Sequence, residues 1–119
     1  MISRETHGDK LIISFTNINK LNLLNIKSAE AYLLKEIGNG IKHLYMNMKG
    51  VHFIDSYSYS RLIAINNAAN LFGTEFRLFN VSDELREILG LLNKNNQIKF
   101  LNPKESRVVN AYFMYSTFP

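Results

Sequence analysis

The stretch IKHLYMNMKGVHFIDSYSYS, residues 41–60, decides how this chain folds. In its first part Leu44, Met46 and Met48 alternate with Tyr45 and Asn47, and none of these five is charged. That is the composition of a central strand covered on both faces. Lys49-Gly50 reads as a turn or bulge, after which Val51, Phe53 and Ile54 resume the apolar pattern and run into Asp55-Ser56. Beyond it, residues 61–72 (RLIAINNAANLF) place Leu62, Ile65, Ala69 and Phe72 on one helical stripe, with the asparagines largely opposite. Asp55 and Ser56 therefore fall at a strand-to-helix turn, a position that presents a hydroxyl to a partner.

Upstream, residues 10–16 (KLIISFT) have strand composition, and residues 21–26 (LNLLNI) form a second apolar run. Joined through Asn17-Ile18-Asn19, the two suggest a hairpin or bent edge pair. Ser28 then stands as the cap of a helix with Ala29, Leu33 and Ile37 on one face, ended by Gly38-Asn39-Gly40. Residues 1–10 are polar and charged, without the apolar core of a secretory signal.

Downstream, residues 74–80 (TEFRLFN) alternate as a strand with one face less buried. Ser82 caps a helix whose first turn holds Asp83 and Glu84, and whose apolar face is Leu85, Ile88, Leu89 and Leu92. Residues 93–96 read as a loop and 97–101 as a short last strand. After Pro103 a terminal helix is expected, with Val108, Val109, Tyr112 and Phe113 as its packing face. The order β-β-α-β-α-β-α-β-α predicts an α/β fold with a mostly parallel sheet of about five strands, antiparallel at the front, and about four helices. With 119 residues it predicts a single domain, its core at about 10–101 and its C-terminal helix at about 104–115.

Composition narrows the function classes. The chain has no cysteine, which excludes disulfides and thiolate metal sites, and its three histidines show no metal-binding spacing. No uncharged apolar run is long enough to span a bilayer, so a cytoplasmic protein without membrane contact is expected. The net charge of +4 raises the question of nucleic acid. However, Lys plus Arg against Asp plus Glu is 7 to 5 in residues 1–60 and 7 to 5 in residues 61–119. Nothing clusters, and a solvated mixed surface is the reading to prefer. His52, Asp55 and Ser56 invite a hydrolase reading, but there is no Gly-x-Ser-x-Gly elbow and adjacency in sequence does not make a catalytic triad.

Leu44-Tyr45-Met46-Asn47-Met48, then Gly50-Val51-x-Phe53-Ile54-Asp55-Ser56, Phe76-Arg77-Leu78-x-Asn80-Val81-Ser82 and Leu85-x-x-Ile88-Leu89 together resemble the STAS family of anti-sigma factor antagonists. The resemblance covers about residues 10–101. It implies a non-enzymatic adaptor, without cofactor, that binds an ATP-binding anti-sigma serine kinase and so frees a sigma factor for transcription. It implies Ser56 as the phosphoacceptor, with Asp55, Tyr57, Ser58 and Tyr59 at the partner-binding surface, and a serine phosphatase that reverses the modification. The family motif continues with a small residue, glycine, leucine and glycine, where this chain has Tyr57, Ser58, Tyr59 and Ser60. Those tyrosines motivate an alternative, an interaction or small-ligand module that is not phosphorylated. Ser56 and Asp55 are also good helix caps in their own right, and either tyrosine is a candidate for packing inward.

Overall fold

The computed structural model describes residues 2–116, with side chains described as far as Tyr112. Strands β1 (Ile2–His7), β2 (Lys10–Phe15), β4 (His43–Asn47) and β6 (Glu75–Phe79) form one sheet in the order β1-β2-β4-β6. β1 runs antiparallel to β2, and β2, β4 and β6 are parallel. A parallel neighbour requires a crossover, which α1 (Leu23–Ile37) supplies between β2 and β4, and α2 (Ser56–Leu71) between β4 and β6. Two short strands, β3 (Lys20–Leu21) and β5 (Phe53–Ile54), pair in parallel outside the main sheet.

Each face of the sheet is covered. Leu11, Ile13, Leu44, Met46, Phe76 and Leu78 pack with Ile26, Ala29 and Leu33 of α1, Leu62, Ile65 and Ala69 of α2, and Leu85 and Leu89 of α3 (Asp83–Leu92). On the other face Ile12, Tyr45 and Phe79 meet Leu101 and Val109, the latter from α4 (Pro103–Ser116). Burial on both faces explains the run of consecutive buried residues Leu11, Ile12 and Ile13 and the nearly uncharged β4. The α4 face is the more polar. There the Tyr45 hydroxyl donates to Glu75 Oε1 at 2.9 Å, and burial together with this carboxylate pushes the Tyr45 phenol well up. Asn80 and Asn110 exchange reciprocal amide hydrogen bonds at 2.8 and 3.0 Å, tying the end of β6 to α4.

The structure corrects several boundaries. Residues 21–26 are not a second strand: β3 is two residues long and α1 begins at Leu23. The helix cap is Asn22, not Ser28. Its side chain accepts from the backbone N–H of Leu24 and Asn25, while Asn25 Oδ1 accepts from the Asn22 N–H at 2.8 Å. This reciprocal arrangement satisfies the open donors of the first turn. The hairpin lies earlier than expected, between β1 and β2 through a turn at Gly8, whose φ of +64° suits glycine. Its first strand, ISRETH, escapes a hydrophobic reading because it is an edge with only β2 beside it.

α1 ends at its cap Gly38, whose φ of −78° is right-handed, and the left-handed glycine of the turn is Gly40, two residues further on. α2 starts at Ser56, five residues before the expected Arg61. Asn66 is not on the solvent side of that helix: it is buried and donates to the Gln97 carbonyl at 3.2 Å. The last strand shrinks to a single parallel bridge between Phe100 and Leu78. On α4, Val109 is buried and Val108 exposed, and the side chain of Phe113 lies outside the described residues.

These caps separate experimentally. Asn22→Ala should cost about 1 kcal/mol of stability in denaturant unfolding. Ser28→Ala, at an exposed position inside the helix, should leave stability unchanged or slightly raised.

Candidate functional site

The site is built where β5 ends. Asn19 O accepts the backbone N–H groups of His52 at 2.8 Å and Phe53 at 3.3 Å, and Lys20 pairs with Phe53 and Leu21 with Ile54 in register. This short ladder holds the segment leaving the Lys49-Gly50 turn, where Gly50 has φ +84°. Ile54 and Val51 are buried in the main core, so the chain cannot slide without exposing them.

Asp55 then caps α2. Its Oδ1 accepts the backbone N–H of Ser58 at 2.7 Å, and its own carbonyl accepts from Tyr59 N at 3.0 Å, the first bond of the helix. The backbone N–H of Ser58 holds the Asp55 carboxyl below the usual aspartate range, with the Ser58 hydroxyl and Lys20 acting in the same direction. Ser56 is the first residue of α2 and its side chain is exposed. The N–H groups of Ser56 and Tyr57 precede the hydrogen-bonded turn and face no acceptor among the described residues. They add to the positive end of the helix dipole beside the Ser56 hydroxyl.

The next residues divide by helical phase. Tyr57 is exposed and faces α1 across a groove. Ser58 is fully buried, and its Oγ makes no hydrogen bond of acceptable geometry, so its side chain is not offered to a partner in this conformation. Tyr59 turns inward against the main core and donates its hydroxyl to Asn93 Oδ1 at 2.7 Å. Burial pushes its phenol up. Ser60 returns to the surface and donates to the Tyr57 carbonyl at 2.6 Å. The pattern small, glycine, leucine, glycine is thus met in physical kind at its inner positions: a small side chain at buried Ser58 and a large, mostly apolar one at Tyr59. The departures that reach solvent are Tyr57 and Ser60, and Tyr57 is the bulky one.

Of the expected site residues, Asp55, Ser56 and Tyr57 share the surface, while Ser58 and Tyr59 face inward and support it. His52 does not join them as a relay. Its Nδ1 lies 3.7 Å from Glu84 Oε2 of α3, and Asp55 is occupied by a backbone donor. Among the described residues no three His, Cys, Asp or Glu side chains gather as a metal site, and no helix is long and apolar enough to cross a membrane.

Two features of the site were invisible to local spacing because they join separate elements. Lys20 lies over the Phe53 ring at 4.8 Å and places a cation near Asp55. Arg61 grips Glu30 of α1 with two N–H groups, Nε at 2.7 Å from Oε2 and the second on Oε1. The guanidinium holds the Glu30 carboxyl below its usual range. This planar fork fixes the angle between α1 and the start of α2.

The STAS domain family model matches residues 2–106. The chain belongs to the STAS family. Among solved structures it is similar to a STAS-domain anti-sigma-factor antagonist protein from Planctomyces limnophilus, with TM-score 0.75, 17% identity and coverage of 92% of this chain and 95% of that one. It is also similar to an anti-sigma factor antagonist from Mycobacterium paratuberculosis, with TM-score 0.73, 13% identity and 92% of each chain covered. The antagonist SpoIIAA in its unphosphorylated form matches with TM-score 0.72 and 14% identity over 92% of this chain and 97% of that one. The Bacillus SpoIIAA structure in the phosphorylated form matches at 0.65 and 12%, over 89% and 96%. At such identities the likeness is one of fold. No curated protein sequence matches the chain.

Replacing Asp55 by Ala should cost about 1 kcal/mol, and Asp55→Asn should recover most of it, as read from denaturant midpoints. Because the folded carboxyl titrates below its unfolded value, the stability that Asp55 contributes is fully present above about pH 4 and is lost as pH falls through the folded value. The difference between wild type and Asp55→Ala should therefore shrink below that pH.

Proposed function

We propose that this protein is an anti-sigma factor antagonist, an adaptor that binds an anti-sigma serine kinase and is switched by phosphorylation of Ser56. The observation that carries the reading is the placement of Ser56. In a STAS chain it is an exposed hydroxyl at the first residue of α2, directly after the Asp55 cap. A kinase reaches such a hydroxyl without unfolding anything, since no described side chain covers it.

The chemistry of the switch follows from that placement. A phosphate adds about −1.5 to −2 charges and three strong acceptors. At the start of α2 it meets the dipole and the unclaimed N–H groups of Ser56 and Tyr57, so the domain accommodates it. A partner that packs on this surface, by contrast, has to desolvate it, and each ~1.4 kcal/mol lost from the complex weakens binding tenfold. The fold persists while binding is switched. A serine phosphatase restores the binding form, and the adaptor itself contributes no catalytic group to this cycle. Binding to the kinase releases the sigma factor that the kinase sequesters. That SpoIIAA is described in an unphosphorylated and a phosphorylated form supports the reading by analogy of fold.

Incubation with the cognate anti-sigma kinase and ATP, followed by mass-spectrometric mapping, should place one phosphate on Ser56. Ser56→Ala should incorporate none, and Ser56→Asp should bind the kinase more weakly than wild type. Phosphate on another residue, or equal recovery of the kinase by wild type and Ser56→Asp, would favour the constitutive interaction module instead.

A further inference from the structure

Next to Ser56 lies a groove that the switch itself does not use. It runs between α1 and the first turns of α2, has a volume of about 320 Å³, and is lined by Lys27, Glu30, Ala31, Leu34, Tyr57 and Arg61. That volume is at the lower end of the range of small-molecule sites, roughly 300–1,000 Å³. Its walls are half in water: Leu34 is 43% and Tyr57 44% exposed, and Leu23, on the same stripe of α1, is 44% exposed. Large apolar side chains left this open beside a functional surface are the composition of an interface centre, where aromatic residues are enriched.

Charge says what suits it. Glu30 and Arg61 neutralise each other through their paired hydrogen bonds. Lys27 makes no ion pair among the described residues, so the lining holds two cations against one carboxylate. The groove is an apolar slot with one uncompensated positive charge on its rim. The Arg61–Glu30 pair links its two walls, and the Asp55 cap holds the start of the α2 wall.

We propose that this groove is the specificity pocket of the adaptor: it receives one apolar side chain of the anti-sigma kinase, flanked by a carboxylate that meets Lys27. This rests on the reading of the chain as a kinase-binding adaptor and adds to it a second contact point, on α1, beside the phosphoacceptor. Tyr57 then has a role in place of the small residue of the family motif. Its ring forms one wall of the pocket, so that the adaptor selects a kinase with a protruding apolar anchor over one shaped for a bare helix start. A buried aromatic or aliphatic anchor of this kind carries a disproportionate share of binding energy. A charge at the rim acts mainly through association rate and salt dependence.

The test measures calorimetric affinity of the unphosphorylated adaptor for its cognate anti-sigma kinase, with far-UV circular dichroism to confirm that each variant is folded. Leu34→Asp and Tyr57→Ala should each weaken binding at least tenfold. Lys27→Glu should weaken it by a similar factor and flatten its dependence on salt. Leu91→Ala, at an exposed residue of α3 that does not line the groove, should bind as wild type. If the groove variants bind within twofold of wild type while the kinase still binds the adaptor and phosphorylates Ser56, the specificity pocket is overturned and the adaptor reading stands. If the kinase does not bind wild type at all, the reading and the pocket fall together.

Discussion

Everything in this molecule depends on β4 being hydrogen-bonded on both sides and buried on both faces. Leu44, Tyr45, Met46 and Asn47 are all buried, and the strand has parallel partners in β2 and β6. Parallel pairing forces helical crossovers, and right-handed crossovers carry each connection over the sheet. The crossover that leaves the C-terminal end of β4 must therefore turn sharply and climb into α2. Gly50, the β3–β5 ladder and the Asp55 cap perform that turn in succession. Ser56 is exposed because it is the first residue after the turn is complete. The proposed functional surface is thus a by-product of how a buried strand is connected, sited where open sheets of this kind place their ligands, beyond the carboxyl ends of the strands.

The same geometry supports this small surface from three sides, as the proposed switch requires. Asp55 fixes the helix start from within, and the Glu30–Arg61 pair fixes it against α1. Tyr59 anchors it from below through the core and Asn93. What remains free is the hydroxyl of Ser56, two backbone donors and the outer face of Tyr57. A charge added there alters what a partner encounters without removing any support of the fold.

Much of the framework was legible in the sequence, because its signals are local. The alternation in β4 and β6, Gly50, and the Ser82 cap with its acidic first turn all sit where their chemistry predicts. Each misread boundary has its own cause. LNLLNI has apolar residues at spacings that serve a strand or a helix start, and only the reciprocal Asn22–Asn25 cap decides between them. Tyr57 to Ser60 have weak helix propensity, so α2 looks five residues shorter than packing makes it. The strand ISRETH is held by its ladder with β2 and offers no apolar period. In the site itself the Asp55–Ser56 junction was readable, but the inward turn of Ser58 and Tyr59 required the helix to begin at Ser56. The Glu30–Arg61 pair, and with it the groove against α1, required the tertiary fold.

The most direct examination of this picture is a comparison of ¹H–¹⁵N spectra of the protein with serine and with phosphoserine installed at position 56, alongside titration of each form with the kinase. A local switch gives shifts confined to the end of β5, the first turns of α2 and the facing turns of α1, unchanged resonances for β2, β4 and β6, and loss of kinase binding in the phosphoserine form. Shifts spread through the sheet, or undiminished binding by the phosphoserine form, would mean that Ser56 is not a surface switch on a persistent fold.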